Sequence, residues 1–131
     1  MHQSDFDYVN ITEQHTDILF NILINEGNKF PKIYLEGYKL KRLYDLIMKH
    51  IITSKNCSKI VPNIVLDFSD SPNFKLSERA EKIENYQVDD VKFTCYQISN
   101  IYNPKLQFSL CNEELIDDGS FLCFEIRKIE E

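Results

Sequence analysis

Glycine is scarce in this sequence of 131 residues, with three in all. Gly27, Gly37 and Gly119 stand too far apart for a dinucleotide fingerprint or a phosphate loop, each of which needs several glycines within a few positions. G-x-S-x-G and H-E-x-x-H are missing too, which removes the usual serine-hydrolase and zinc-protease signatures. The four cysteines, Cys57, Cys95, Cys111 and Cys123, are widely separated, and none forms a close pair with another cysteine or a histidine, as a zinc site requires. No cofactor is implied. His2, His15 and His50 are isolated, and His15, on the apolar side of a helical pattern, reads as a hydrogen-bonded core residue.

Long apolar runs are also lacking. The longest, Ile18 to Ile24, is interrupted by Asn21, and the first ten residues, MHQSDFDYVN, have neither the basic start nor the apolar stretch of a secretory signal. The expectation is a cytoplasmic chain with no membrane segment and reduced thiols, because a core this large does not need disulfides. Alanine occurs only at position 80, while Ile, Asn, Lys and Tyr are plentiful. Those residues use A/T-rich codons, pointing to a bacterial or phage gene of that bias.

Present in their place are average proportions of hydrophobic residues (43%) and charged residues (27%), which are those of one globular domain spanning 1–131. The net charge of −6 conceals an asymmetry. Residues 1–27 carry five acids and no Lys or Arg, residues 28–60 carry eight Lys/Arg against Glu36 and Asp45, and residues 61–131 carry seven against fourteen acids. Such blocks attract one another within a fold, form solvated faces or mark a charged partner surface.

Hydrophobic spacing predicts a largely buried helix over 12–26, with Thr12 as its N-cap and a left-handed Gly27 ending it. A short extended piece, 32–35, follows. A second helix over 37–53 buries Leu40, Leu43, Ile47 and Ile51 and exposes Tyr38, Arg42, Asp45 and Lys49. Past Asn56 the pattern becomes strand-like: 60–68 with Pro62 at its start or on an edge, then 91–98, 105–111 and 121–129, the last with Leu122, Phe124 and Ile126 inward. Asp118-Gly119 and Asn103-Pro104 mark turns. Ser77 to Tyr86, with Ser77 as cap, reads as a short exposed helix. The fold class is therefore α+β, two N-terminal helices packed on a mainly antiparallel C-terminal sheet.

Three surfaces carry candidate chemistry. Asp67, near the end of a buried strand, and Asp70 could together hold Mg²⁺ for phosphoryl transfer or hydrolysis, although a turn after a strand requires the same residue types. Lys39, Lys41, Arg42 and Lys49, beside Tyr34, Tyr38 and Tyr44, could meet a phosphate backbone, but the overall acidity opposes nucleic-acid binding. Asp89, Asp90, Glu113, Glu114, Asp117 and Asp118 fall near strand ends, where loops can gather on one rim and offer an acidic surface to a basic protein.

The stretch from Val91-Lys92-Phe93-Thr94 through Ile98-Ser99-Asn100 to Phe124-Glu125-Ile126 resembles the closing strands of small immunity proteins of bacterial polymorphic or contact-dependent toxin systems. The resemblance implies a non-catalytic protein that binds and blocks a cognate toxin, for instance a nuclease with a basic surface. A phage anti-defence role is a variant of the same idea.

Overall fold

The computed structural model describes residues 13–37, 40–68, 76–117 and 121–129. In chain order they form α1 (Glu13–Asn25), β1 (Ile33–Gly37), α2 (Lys41–Thr53), a 3₁₀ turn (Cys57–Lys59), β2 (Asn63–Phe68), β3 (Glu81–Val88), β4 (Val91–Ser99), β5 (Gln107–Leu115) and β6 (Phe121–Ile129). The six strands make one sheet in the order β1-β2-β6-β5-β4-β3. Only β1 and β2, joined through α2, run parallel; the other neighbours are antiparallel. The architecture is α+β, with both helices ahead of most of the sheet. No helix among the described residues is long and apolar enough to cross a membrane.

The amphipathic pattern of α2 translates directly into packing. Leu40, Leu43, Ile47 and Ile51 are fully buried, Tyr44 and Met48 join them, and Lys41, Arg42, Asp45 and Lys49 lie exposed. Lys41 and Asp45 pair across one helical turn at 2.8 Å, the spacing at which side chains meet on a helix surface. The buried side of α2 lies on one face of the sheet, where Tyr44 stacks on Phe124 with ring centroids 4.8 Å apart. Ile64, Leu66, Phe108, Leu110, Phe124 and Ile126 complete this core.

α1 departs from expectation. It packs chiefly on α2 and the 3₁₀ turn, outside the helix that covers the sheet, so among its described side chains only Thr16, Leu19 and Leu23 are buried, whereas Ile18 is 62% exposed. His15 is exposed and is no core residue. Gly27 does not end the helix in a left-handed conformation. Its role is close approach: its N–H donates to the Lys59 carbonyl at 2.9 Å, and a β-carbon there would sit 2.4 Å from that oxygen. Thr12, Tyr38, Gly119 and the loop after Phe68 lie outside the described residues.

The helix expected over Ser77 to Tyr86 is a strand. Ser77 does accept from the Arg79 N–H at 3.1 Å, but the turn stops there, and Glu81–Val88 pairs antiparallel with β4. The reversal is the two-residue Asp89-Asp90 turn, with Asp89 at φ 55°, a left-handed conformation that Asp tolerates better than most residues. Every residue of β3 is exposed, so neither helical nor alternating burial marked the segment, and pairing with β4 decided its state.

The expectation of four reduced thiols is also corrected. Cys95 and Cys111 are directly opposite on β4 and β5, with Cα atoms 4.1 Å apart, and are joined as a disulfide; Cys57 and Cys123 are free. Their juxtaposition depends on strand register, which cysteine spacing along the chain does not reveal.

Candidate functional site

Among the described residues both helices lie on one side of the sheet, leaving the other as an open face. Because side chains alternate along a strand, the register fixes which residues occupy it. Partner by partner, one row crosses all six strands as Glu36, Asp67, Cys123, Glu113, Phe93 and Tyr86. The adjacent row is Tyr34, Val65, Glu125, Cys111, Cys95 and Glu84. Beyond the first row, Leu115, Val91 and Val88 align on β5, β4 and β3.

The two rows divide the face chemically. Over β1, β2, β6 and β5 it carries Glu36, Asp67, Glu113 and Glu125, the last paired with Arg127 at 2.9 Å. Over β4 and β3 it carries an aromatic pair beside the exposed Glu84, Phe93 and Tyr86 stacking with centroids 4.9 Å apart and planes 10° from parallel. Tyr86 and Val88 are about half exposed. Carboxylates next to an accessible aromatic pair form a surface that can pair with cationic groups and bury apolar contact together.

The carboxylates act on their neighbours. The Tyr34 hydroxyl donates to the Asp67 carboxylate, and that bond, with burial and the negative charge, raises the phenol well above its ordinary range. The Cys123 thiol donates to Glu113 Oε2 at 3.3 Å. Burial first, then Glu113, Asp67 and Glu125, push this thiol up to about 12. A thiol held protonated at neutral pH is a poor nucleophile, so the cysteine at the centre of the face does not contribute as one.

Of the six acidic residues singled out in the sequence, the structure brings some together and separates others. Asp89, Asp90 and Asp117 meet on one rim, where the Ile116 N–H donates to the Asp90 carbonyl at 2.9 Å and ties the two turns together. Glu113 and Glu114 belong to β5 itself and point to opposite sides of the sheet. Glu113 faces Cys123 on the open side, whereas Glu114 lies opposite Lys92 on the helix side and, after burial, helps raise Tyr96. Asp118 is outside the described residues, as is Asp70, the expected companion of Asp67. No group of three or more His, Cys, Asp or Glu among the described residues is arranged to hold a metal ion.

Of the basic block, Lys41, Arg42 and Lys49 lie on the exposed side of α2, and Lys39 is outside the described residues. Arg42 pairs with Asp17 at 3.1 Å, Lys41 with Asp45, Tyr44 is buried, and Tyr34 is on the open side of the sheet. Sequence reasoning missed Glu36, Glu125, Phe93 and Tyr86 as members of one surface. The signal available was alternation in β6, where Cys123, Glu125 and Arg127 interleave with Phe124 and Ile126, but the strand order needed to join it to β1 and β4 is not written in any one segment.

No family model, curated protein or solved structure matches this chain.

Proposed function

We propose that the chain is a non-catalytic binding protein of the immunity or inhibitor type, which neutralises a cognate toxin by docking the toxin's basic surface on the open face of the sheet. The observation that carries this reading is the row Glu36, Asp67, Cys123, Glu113, Phe93 and Tyr86: three carboxylates continuous with a stacked aromatic pair, on a face without a helix among the described residues. The carboxylates steer and select a cationic partner, and the aromatics supply the apolar contact area on which binding energy concentrates. The acidic rim of Asp89, Asp90 and Asp117 extends the same field beyond the strand ends. Under this reading the sequence resemblance to immunity proteins and the surface chemistry converge on one role.

Native co-purification, followed by co-expression of the chain with the toxin candidate it captures, tests the proposal. The expected result is rescue of growth and a one-to-one complex that survives gel filtration. Toxicity undiminished by the chain, with no complex formed, would contradict it.

A further inference from the structure

At the end of the sheet opposite the acidic rim, the chain leaving α1, the 3₁₀ turn and the last residues of β6 border an open-mouthed cavity of about 470 Å³. Three lysines line it, Lys29, Lys59 and Lys128, against one acidic residue, Glu26, which pairs with Lys29 at 3.2 Å. The sign of the local charge is therefore reversed relative to a chain of net charge −6. Asn25, Asn28 and Ser58 are the polar uncharged residues of the walls.

The walls are held by backbone bonds from three directions. Gly27 N–H donates to the Lys59 carbonyl at 2.9 Å, Val61 N–H to the Leu23 carbonyl at 2.8 Å, and Lys128 N–H to the Pro62 carbonyl at 2.8 Å. The Lys128 ammonium donates to the Ser58 carbonyl at 2.8 Å, a bond that uses one of its three protons and fixes its position in the wall. Such a site exists before a ligand arrives, which lowers the ordering cost of binding.

We infer that this cavity binds a small, hydrophilic phosphate-bearing anion. Its volume falls in the range of roughly 300–1,000 Å³ typical of small-molecule sites. Three lysines set around one cavity match the charge and the several acceptor oxygens of a phosphate. No aromatic ring lines it among the described residues, so a nucleobase finds no stacking platform, and pyrophosphate or a phosphorylated sugar fits the lining better. The site stands apart from the open acidic face and is independent of the binding role proposed for it.

Isothermal titration of the full chain with sodium pyrophosphate at low ionic strength tests this, with sodium chloride of equal ionic strength as the reference. The expected result is saturable one-to-one binding, weakened about tenfold or more by the Lys29→Gln/Lys59→Gln double variant. Lys59→Arg should keep most of the affinity that Lys59→Gln loses. Lys92→Gln, a change at the other end of the sheet, should leave binding within about twofold. Absence of saturable binding up to about 10 mM pyrophosphate, or equal weakening by the Lys92 and Lys59 variants, would overturn the inference. Both Lys29 and Lys59 are exposed, so unchanged melting of the variants separates loss of the site from loss of the fold.

Discussion

The side-chain nitrogen of Asn100 donates to the backbone carbonyl of Ile51, 49 residues earlier in the chain, at 3.0 Å. The same nitrogen donates to the Ser54 carbonyl at 2.8 Å, and the Asn100 side-chain oxygen accepts from the N–H groups of Tyr102 and Asn103 at 2.8 and 3.0 Å. One fully buried carboxamide thus closes the end of α2 onto the connection between β4 and β5. Removing it strands buried carbonyl and amide groups that water cannot reach, at a cost of about 1–3 kcal/mol for each group left unpaired. Asn100→Ala is therefore expected to lower unfolding free energy by about 3 kcal/mol. Urea denaturation checks it; a loss below about 1 kcal/mol would show that the connection is held elsewhere.

Gly27→Ala tests the contact between the two loops that follow α1 and α2. The added β-carbon would meet the Lys59 carbonyl oxygen at 2.4 Å and the Ile60 carbonyl oxygen at 2.5 Å, and both are backbone atoms that cannot swing aside. A destabilisation of about 1–3 kcal/mol is expected, read as a lower melting temperature. Alanine in an open loop would leave stability unchanged or slightly raised.

His50 gives stability a dependence on pH. Burial lowers its pKa below the ordinary histidine value, its Nε2 has no hydrogen-bond partner among the described residues, and Phe20 packs edge-on against the ring at 5.7 Å. The unfolded chain therefore binds the proton more readily than the folded one. Its contribution is complete above the unfolded value near 6.5 and is lost as pH falls through the lower folded value. Urea midpoints should fall from pH 7 to pH 5, and a His50→Gln variant should show a shallower fall over the same interval.

Cys123 should be slow to react. Its thiol donates to Glu113 and is pushed up to about 12 by burial and the surrounding carboxylates, so iodoacetamide at pH 8 should label it far more slowly than a free cysteine. Glu113→Gln removes both the charged acceptor and a negative neighbour. A drop of even one unit would raise the thiolate fraction about tenfold, and peptide mapping of the labelled protein reads the change at Cys123 separately from Cys57.

What the sequence made legible follows from where each signal is written. β6 is read at its observed bounds because Phe124 and Ile126 alternate with polar residues, and α2 is read because Leu43, Ile47 and Ile51 repeat along one helical face. Burial imposed both patterns. β3 has no such imprint: exposed throughout, it offers only Ser77 and a run of charges, which suit a helix start equally well. The acidic surface was legible as composition and not as geometry. Glu113 and Glu114 are neighbours in sequence, yet the strand pleat sends them to opposite sides of the sheet, while Asp67 and Glu113, 46 residues apart by their numbers, flank the same thiol.

Association kinetics with the protein partner captured by native co-purification test the open face most directly. Wild type is compared with Glu113→Gln/Glu125→Gln, and with the rim variant Asp89→Asn/Asp90→Asn/Asp117→Asn, at about 50 mM and about 500 mM salt. The Glu113/Glu125 variant is expected to associate about tenfold more slowly at low salt, with the difference shrinking at high salt, and the rim variant to show a smaller effect of the same sign. Association by the Glu113/Glu125 variant at the wild-type rate at low salt would contradict the account and place the interface off the open face of the sheet.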